Sequence, residues 1–409
     1  MAIAVGNLVR VPIASTHAGD RSIPLLVNDI AAVAIVGLGF LSIVLTRKLR
    51  VDSVMLAAAA FATLGGLTAI AGISRFGFSG AEVAVGLAFL ARWLLYFGIY
   101  VVIVNAVRGS DVLAVWTALE NVAVAFALFG LVQSAFIPNF AQRYYPDSVP
   151  AVDWDVQGRR LVSSFLDPNY AGMMILMPLL VQIGMLAAGA PVKRWKVLVL
   201  MGGLLATLSR SSILGFVLAL GIIMVQRGLS KRLLSLFVTV GIALLAAAPA
   251  LLRFAAGYNK TTLSDPSALG RIVNWIRLWN VFVEHPIVGI GFNTWGALAR
   301  RRGWATVAST SLGTEGGLLF VMALTGLVGL TIFLAMFGTI AWRGRRVWRD
   351  TTRAPLERGL ALAIPAMIPA ILFHSLFTNS LFLPLLMEPM WVLFGLGFVV
   401  ANDPLQYGK

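Results

Sequence analysis

The chain of 409 residues contains no cysteine. That excludes disulfides, thiolate metal sites and cysteine nucleophiles. Histidine is almost as scarce. His17, His285 and His374 are the only three, too few for a His-rich metal centre. Charge is thin as well: Asp, Glu, Lys and Arg make up 12% of the residues, against 59% apolar. A disordered chain needs the opposite balance, and an ordinary soluble domain is about a quarter charged. A chain this apolar needs lipid as its solvent, so it reads as a polytopic membrane protein. Acid is the scarcest charge, with 17 Asp and Glu facing 32 Lys and Arg for a net +15. In a membrane protein that excess is first tested against the bias of cytoplasmic loops towards Lys and Arg, and no nucleic-acid partner is expected.

Apolar stretches suited to about 30 Å of hydrocarbon recur at 25–46, 53–73, 82–107, 112–136, 168–190, 196–209, 211–226, 233–254, 314–341, 359–379 and 382–401. The expected fold is therefore all-α: a polytopic helical bundle of about 11–12 spans, with residues 1–409 forming a single membrane domain. The stretches 196–209 and 211–226 are short, so the chain dips to one face at Ser209-Arg210-Ser211-Ser212 and returns at once. Residues 1–22 lack a continuous apolar core and a small-residue cleavage site, so no signal peptide is expected. Half of the basic residues fall on alternate short connections, among them Arg47, Lys193, Arg227 and Arg343. This side reads as cytoplasmic. The opposite, outer side carries two substantial loops, about 137–167 and 255–313. No internal repeat of the secondary-transporter kind is visible.

Candidate chemistry gathers at the outer face. Arg210 sits between two short apolar segments, and an ionisable residue there is a functional candidate, the alternative being an arginine snorkelling to the interface. Arg271 opens a stretch, 270–283, with apolar residues at helical spacing, so it reads as an interfacial helix; the alternative is a solvated face. Arg159 and Arg160 precede Asp167-Pro168-Asn169, a helix start in its own right. Asp167 and Asn169 therefore read as caps before they read as catalytic groups. Several guanidiniums at one face suit a phosphorylated ligand, because their forked donors match phosphate oxygens. They would stabilise a pyrophosphate leaving group without a metal. No cofactor is expected.

Transfer to a hydroxyl also gains from a general base. Glu315, where the second outer loop enters a membrane helix, is the leading candidate; its alternative is a carboxylate favoured by the helix dipole. Asp167, His285 and His374 are others, with His285 in Glu284-His285-Pro286 also readable as a turn residue. Arg92 and Glu120, near mid-bilayer on adjacent spans, are expected to form an ion pair. His374 and Glu388 are expected to pair or to line a cavity. Trp154, Trp275, Trp279, Trp295 and Trp304 read mostly as interfacial anchors, one or two being free to stack on a sugar face.

Five stretches, taken together, resemble the O-antigen ligase and O-antigen polymerase superfamily of bacterial envelope glycosyltransferases. They are Gly158-Arg159-Arg160 through Asn169, Leu208 through Ser212, Gly270-Arg271 through Gly291, Glu315 through Leu330, and Ser375 through Pro384. The resemblance implies a GT-C-like helical enzyme of the bacterial inner membrane with its site facing the periplasm. It implies transfer of a glycan from undecaprenyl pyrophosphate to a second lipid-linked glycan (polymerase) or to lipid A-core (ligase), without a metal. Arg210 and Arg271 match the family's arginines best, and one of Arg159 and Arg160 matches a third. Trp275, His285, His374, Asp167 and Asn169 fall to substrate binding on the same ground. Ligases of the family place a His followed by Asn where this chain has Glu315 and Gly316. That departure weakens the ligase reading, and it leaves either Glu315 as a substitute base or no base at this position. A carrier of lipid-linked sugar is the reading of another class; it would need charges along a path through the bilayer rather than at one face.

Overall fold

In a computed structural model, residues 5–14, 23–46, 49–144, 158–228, 266–304 and 316–403 are described. The first of these segments holds β1 (Arg10–Ala14), which pairs antiparallel with β2 (Ile23–Leu26), Arg10 opposite Leu26. Among the described residues all else that is regular is helical. The order is α1 (Val27–Thr46), α2 (Ser53–Phe76), α3 (Gly80–Ala106), α4 (Val112–Phe136), the short α5 (Phe140–Tyr144), α6 (Pro168–Ala187), α7 (Arg194–Ala206), α8 (Arg210–Gln226), α9 (Pro266–Glu284), α10 (Trp295–Arg301), α11 (Gly317–Arg349), α12 (Pro355–Ser375) and α13 (Pro384–Asn402). Capping follows the local sequence. Asp52 caps α2 through the Met55 amide, and Ser79 and Glu82 form a reciprocal capping box on α3, the arrangement that satisfies otherwise orphaned N–H groups.

Eight helices among the described residues are long and apolar enough to cross a membrane. The all-α polytopic bundle is thus borne out, and the strand pair is the one addition. The expected span 233–254 lies outside the described residues. Helices α7 and α8 have 13 and 17 residues. At about 1.5 Å per residue they are roughly 20 and 25 Å long, short of the hydrocarbon thickness. The turn joining them, Thr207–Ser209, lies beside the start of α6, where Ser209 Oγ donates to Asn169 Oδ1.

Helix α12 is the hub, packing on α11, α6 and α8. Helix α3 packs chiefly on α13 and α1, whereas α4 packs on α7. This corrects one expectation. Arg92 and Glu120 do not pair, because their helices turn to different partners. Arg92 Nε donates to Asp29 Oδ1 at 2.8 Å, and the Tyr96 hydroxyl joins the same carboxylate at 3.0 Å. Glu120 instead meets Lys196 and Gln182. Nor do His374 and Glu388 pair: Glu388 accepts from Asn28 Nδ2 at 2.7 Å. Each of these three buried carboxylates thus meets a partner from another helix, as burial of charge requires.

Helix α11 is broken at Gly326, whose backbone is left-handed and extended (φ 62°, ψ −166°). The break frees backbone donors on one side and acceptors on the other. The strap His285–Gly291 enters the gap and satisfies them. Leu327 N donates to Pro286 O at 2.7 Å and Val328 N to Ile287 O at 3.1 Å, while Gly291 N donates to Leu324 O at 2.8 Å. This is how a broken helix is tolerated at membrane depth. The fit leaves no room for side chains: a Cβ on Gly326 would lie 2.2 Å from Ile287 O, and one on Gly291 2.5 Å from Ala69 Cα. Gly326→Val should therefore combine backbone strain of roughly 1–3 kcal/mol with overpacking of similar size. The expected result is a clear drop in melting temperature of the purified protein. Gly338→Ala, on the same helix with nothing within 4 Å of its added Cβ, should melt like wild type. Equal melting of the two variants would show that the strap does not need this glycine.

Candidate functional site

The site is built from two helix starts and the loop that runs into them. Between Gly158 and Asp167 the chain is pinned to α4. Gln133 Oε1 accepts from Val162 N and Ser163 N at 3.0 and 3.2 Å, and Ser163 Oγ donates to Phe126 O at 2.9 Å. Ser163 and Leu166 both adopt positive φ, 49° and 57°, uncommon for non-glycine residues. The tight turn between them delivers Asp167 to the start of α6. Asp167 accepts from the amides of Asn169 at 2.7 Å and Tyr170 at 3.1 Å, so the cap expected from Asp-Pro-Asn is present. Burial pushes its carboxyl up from the ordinary range, while those two amides and the charges of Arg160 and Arg271 pull it down.

Ser209 begins α8 in the same way, accepting from Ser212 N. The two helix starts are tied together. Ser209 Oγ donates to Asn169 Oδ1 at 2.9 Å, and Ser212 Oγ donates to Asn169 O at 3.3 Å. Gly172 permits the approach, since a Cβ there would lie 2.4 Å from Ser212 Oγ. Two N-termini thus lie side by side, but that of α6 is already occupied, since Pro168 has no N–H and Asp167 takes the amides of Asn169, Tyr170 and Ala171; the start of α8 is the one that could face an anion.

The arginines differ in their roles. Arg160 turns inward, its Nε donating to Thr207 O at 2.9 Å and its guanidinium reaching Leu208 O at 3.3 Å. It holds the turn between α7 and α8. Arg159 stays exposed, as does Arg210, the first residue of α8. Arg271 is half-buried on α9, close enough to Asp167 and His374 for its charge to act on both. As expected, α9 is amphipathic: Leu278 and Val281 are fully buried, while Ile272, Ile276, Trp279 and Val283 are exposed. Trp275 anchors it, donating Nε1–H to Leu376 O at 2.9 Å beside the Phe377 ring. His374, fully buried at the end of α12, lies beside the Asn169 backbone.

The structure thus brings together Arg160, Asp167, Asn169, Arg271 and His374, with Arg210 and Trp275 on the same elements. It leaves His285 apart. Its ring packs edge-on against Phe76 at 4.9 Å, and it lies 14 residues beyond Arg271 along α9, about 20 Å by helix rise. Burial and the nearby Arg75 and Arg302 hold its pKa below the usual histidine value, against the pull of Glu284. Of the Arg300–Arg302 run, Arg301 clamps Glu82 at 2.8 Å and Arg302 meets Glu284, so these charges fasten loops. Trp295 is buried against Trp304 rather than set out as an anchor, whereas Trp279 is exposed. Glu315 and Trp154 lie outside the described residues. Sequence reasoning missed Ser209, Ser212 and Gln133 as site builders. Their signals were an amide inside an apolar span and serines spaced as a cap. Among the described residues no group of three or more His, Asp or Glu side chains is gathered as a metal site.

Fold and site define a helical membrane protein with a cationic site at paired helix N-termini. Residues 196–334 match the family described as O-antigen ligase, and the match supports the O-antigen ligase and polymerase superfamily. The matched segment carries Arg210, Arg271, Trp275, His285 and Glu315. No curated protein matches the chain. Together the apolar helices and the family match point to a bacterial membrane protein and a glycosyltransferase-like enzyme.

Proposed function

We propose that the protein is a polymerase-type glycosyltransferase acting on undecaprenyl-pyrophosphate-linked glycan at the periplasmic face of the inner membrane. The observation that carries this reading is the meeting of Arg271 with the tied N-termini of α6 and α8. A lipid-linked pyrophosphate presents its charge near a membrane face, where helices of this kind begin and end. In the reaction an acceptor sugar hydroxyl attacks C1 of the donor glycan. The new C1–O bond forms as the C1–O bond to pyrophosphate breaks, and the electron pair leaves on a phosphate oxygen. Arg210, Arg271 and the start of α8 stabilise that oxygen. The hydroxyl proton goes to a general base, for which we propose Glu315. The remaining candidates are constrained: Asp167 is engaged by two amides, and His285 is remote.

A ligase acting on lipid A-core is the second reading, favoured by the description of the matched family. Purified protein supplied with a defined lipid-linked repeat unit separates the readings by mass spectrometry of the products. A ladder of lengthened glycans is expected. A single transfer to lipid A-core would make the protein a ligase, and translocation without new bonds would make it a carrier. Transfer should survive EDTA, because the arginines and helix ends take the role that a metal fills elsewhere. Activity lost on chelation and restored by magnesium or manganese would overturn the arginine account.

A further inference from the structure

Helix α8 begins at the arginine site and α11 beside it, next to Trp275. Both run away from the site, and their far ends meet on the opposite face of the bundle, where Trp348 Nε1 donates to Gln226 O at 3.2 Å. Arg227 ends α8 there and is exposed, as are Arg345, Arg346 and Arg349 on α11. Arg358, in the first turn of α12, lies over the Trp348 ring at 4.8 Å. Five guanidiniums thus gather where two helices end and a third begins. Acid does not balance them. The carboxylates of this stretch, Asp350 and Glu357, are both taken by Arg353, at 3.4 and 3.5 Å. Among the described residues none of the five arginines forms an ion pair with a carboxylate.

The exposed side chains of α11 are also ordered along it. Trp342, Arg345, Arg346 and Arg349 follow helical spacing and so share one face. The Arg346 guanidinium stands 4.6 Å over the Trp342 ring. With 33 residues, α11 is about 50 Å long by helix rise and outruns about 30 Å of hydrocarbon; its arginines mark the end that leaves the bilayer. An exposed tryptophan one turn before exposed arginines fits the boundary between acyl chains and headgroups. We propose that this face binds the headgroups of anionic phospholipid, of which phosphatidylglycerol is the type. The arginine forks take the lipid phosphates, and the Trp342 ring lies at the level where the acyl chains begin. A zwitterionic head suits the face less well, because its ammonium finds no free carboxylate here. The surface lies across the bundle from the arginine site, and its lipid does not depend on the reaction assigned there.

The test uses the full chain purified in a neutral detergent. By native mass spectrometry it should retain added phosphatidylglycerol in preference to phosphatidylcholine with the same acyl chains. An arginine beside lipid phosphate contributes about fivefold to binding. The triple variant Arg345→Gln, Arg346→Gln, Arg349→Gln should therefore weaken phosphatidylglycerol binding about a hundredfold. All three side chains are exposed, so the fold should tolerate their loss. The double variant Lys193→Gln, Arg194→Gln removes two exposed cations of the same face at the start of α7 and should bind the lipid like wild type. Equal retention of the two lipids by the wild-type chain would overturn the proposal without recourse to any variant. Wild-type binding by the triple variant would overturn it as well. So would an equal loss in the double variant, which would reduce the patch to net charge. Glycerol phosphate carries the same head without acyl chains and should leave lipid retention unchanged. Displacement of the lipid by an equal concentration of glycerol phosphate would give the arginines to a soluble phosphate and overturn the membrane assignment.

Discussion

Arg210→Lys and Arg271→Lys are each expected to remove most glycosyl transfer, by roughly 10²-fold or more, the scale for losing one preorganised donor to a developing oxyanion. Both substitutions keep the charge. What they lose is the planar fork that meets two phosphate oxygens at once. The fold should tolerate them. Arg210 is exposed at the first position of α8, where Ser209 still supplies the cap. Arg271 is half-buried, but α9 keeps its buried anchors Leu278 and Val281 and the Trp275 bond to Leu376. Arg160 would make a poor test of the same idea, since its guanidinium holds the carbonyls of Thr207 and Leu208 and its loss would disturb that turn itself. The measurement is turnover of purified variants at saturating donor, with melting temperature taken on the same samples. A variant that turns over at the wild-type rate removes its arginine from the site. A variant that melts early is explained by folding, and pyrophosphate binding then has to carry the comparison.

The helices were legible because lipid demands long apolar stretches and a capped start. The expected 112–136 is α4, and the expected 53–73 differs from Ser53–Phe76 only at one end. Asp167 could be read as a cap because capping is local, a matter of three consecutive residues. Pairings between helices were not legible in the same way. Arg92 and Glu120 lie on consecutive helices at similar depth, yet Arg92 finds Asp29 and Glu120 finds Lys196. Depth is written in the sequence, whereas the direction in which a helix turns its face depends on what it packs against. The site follows the same division. Arg210 and Arg271 stand out as charges in apolar surroundings, which single-residue cost reveals. The tie between Asn169 and Ser209 joins residues forty positions apart and belongs to the packing of α6 on α8. The strap through α11 is a mixed case. His285-Pro286-Ile287-Val288-Gly289-Ile290-Gly291 was visible as a motif, but that its glycines serve backbone contact with α11 and α2 follows only from the fold.

Glu315→Gln is expected to lower the transfer rate by about 10²-fold or more, the usual scale for removing a general base. The residue lies in sequence immediately before Gly316, which holds φ 107° at the start of α11. The side chain next to Gly316 is Trp275: a Cβ on Gly316 would lie 3.1 Å from its ring. Trp275 in turn sits one helical turn from Arg271 on α9, so the start of α11 and the arginine site share a wall. A glutamate carboxylate has the charge to take the proton that the acceptor hydroxyl gives up as the new glycosidic bond forms. Glutamine keeps its size and its hydrogen-bonding reach but cannot take that proton. A carboxylate that only favours the helix start through the dipole would give a different result, a stability loss below about 1 kcal/mol with the rate nearly unchanged. Turnover and melting temperature measured on one preparation of Glu315→Gln separate the two outcomes. The Arg271→Lys variant supplies the contrast, because it should lose pyrophosphate binding along with rate, whereas Glu315→Gln should bind pyrophosphate like wild type and fail only at transfer. Near-normal turnover in Glu315→Gln would take the base away from this position. It would pass to Asp167, where burial already works against ionisation, and that carboxyl would have to give up its cap of α6 in order to act.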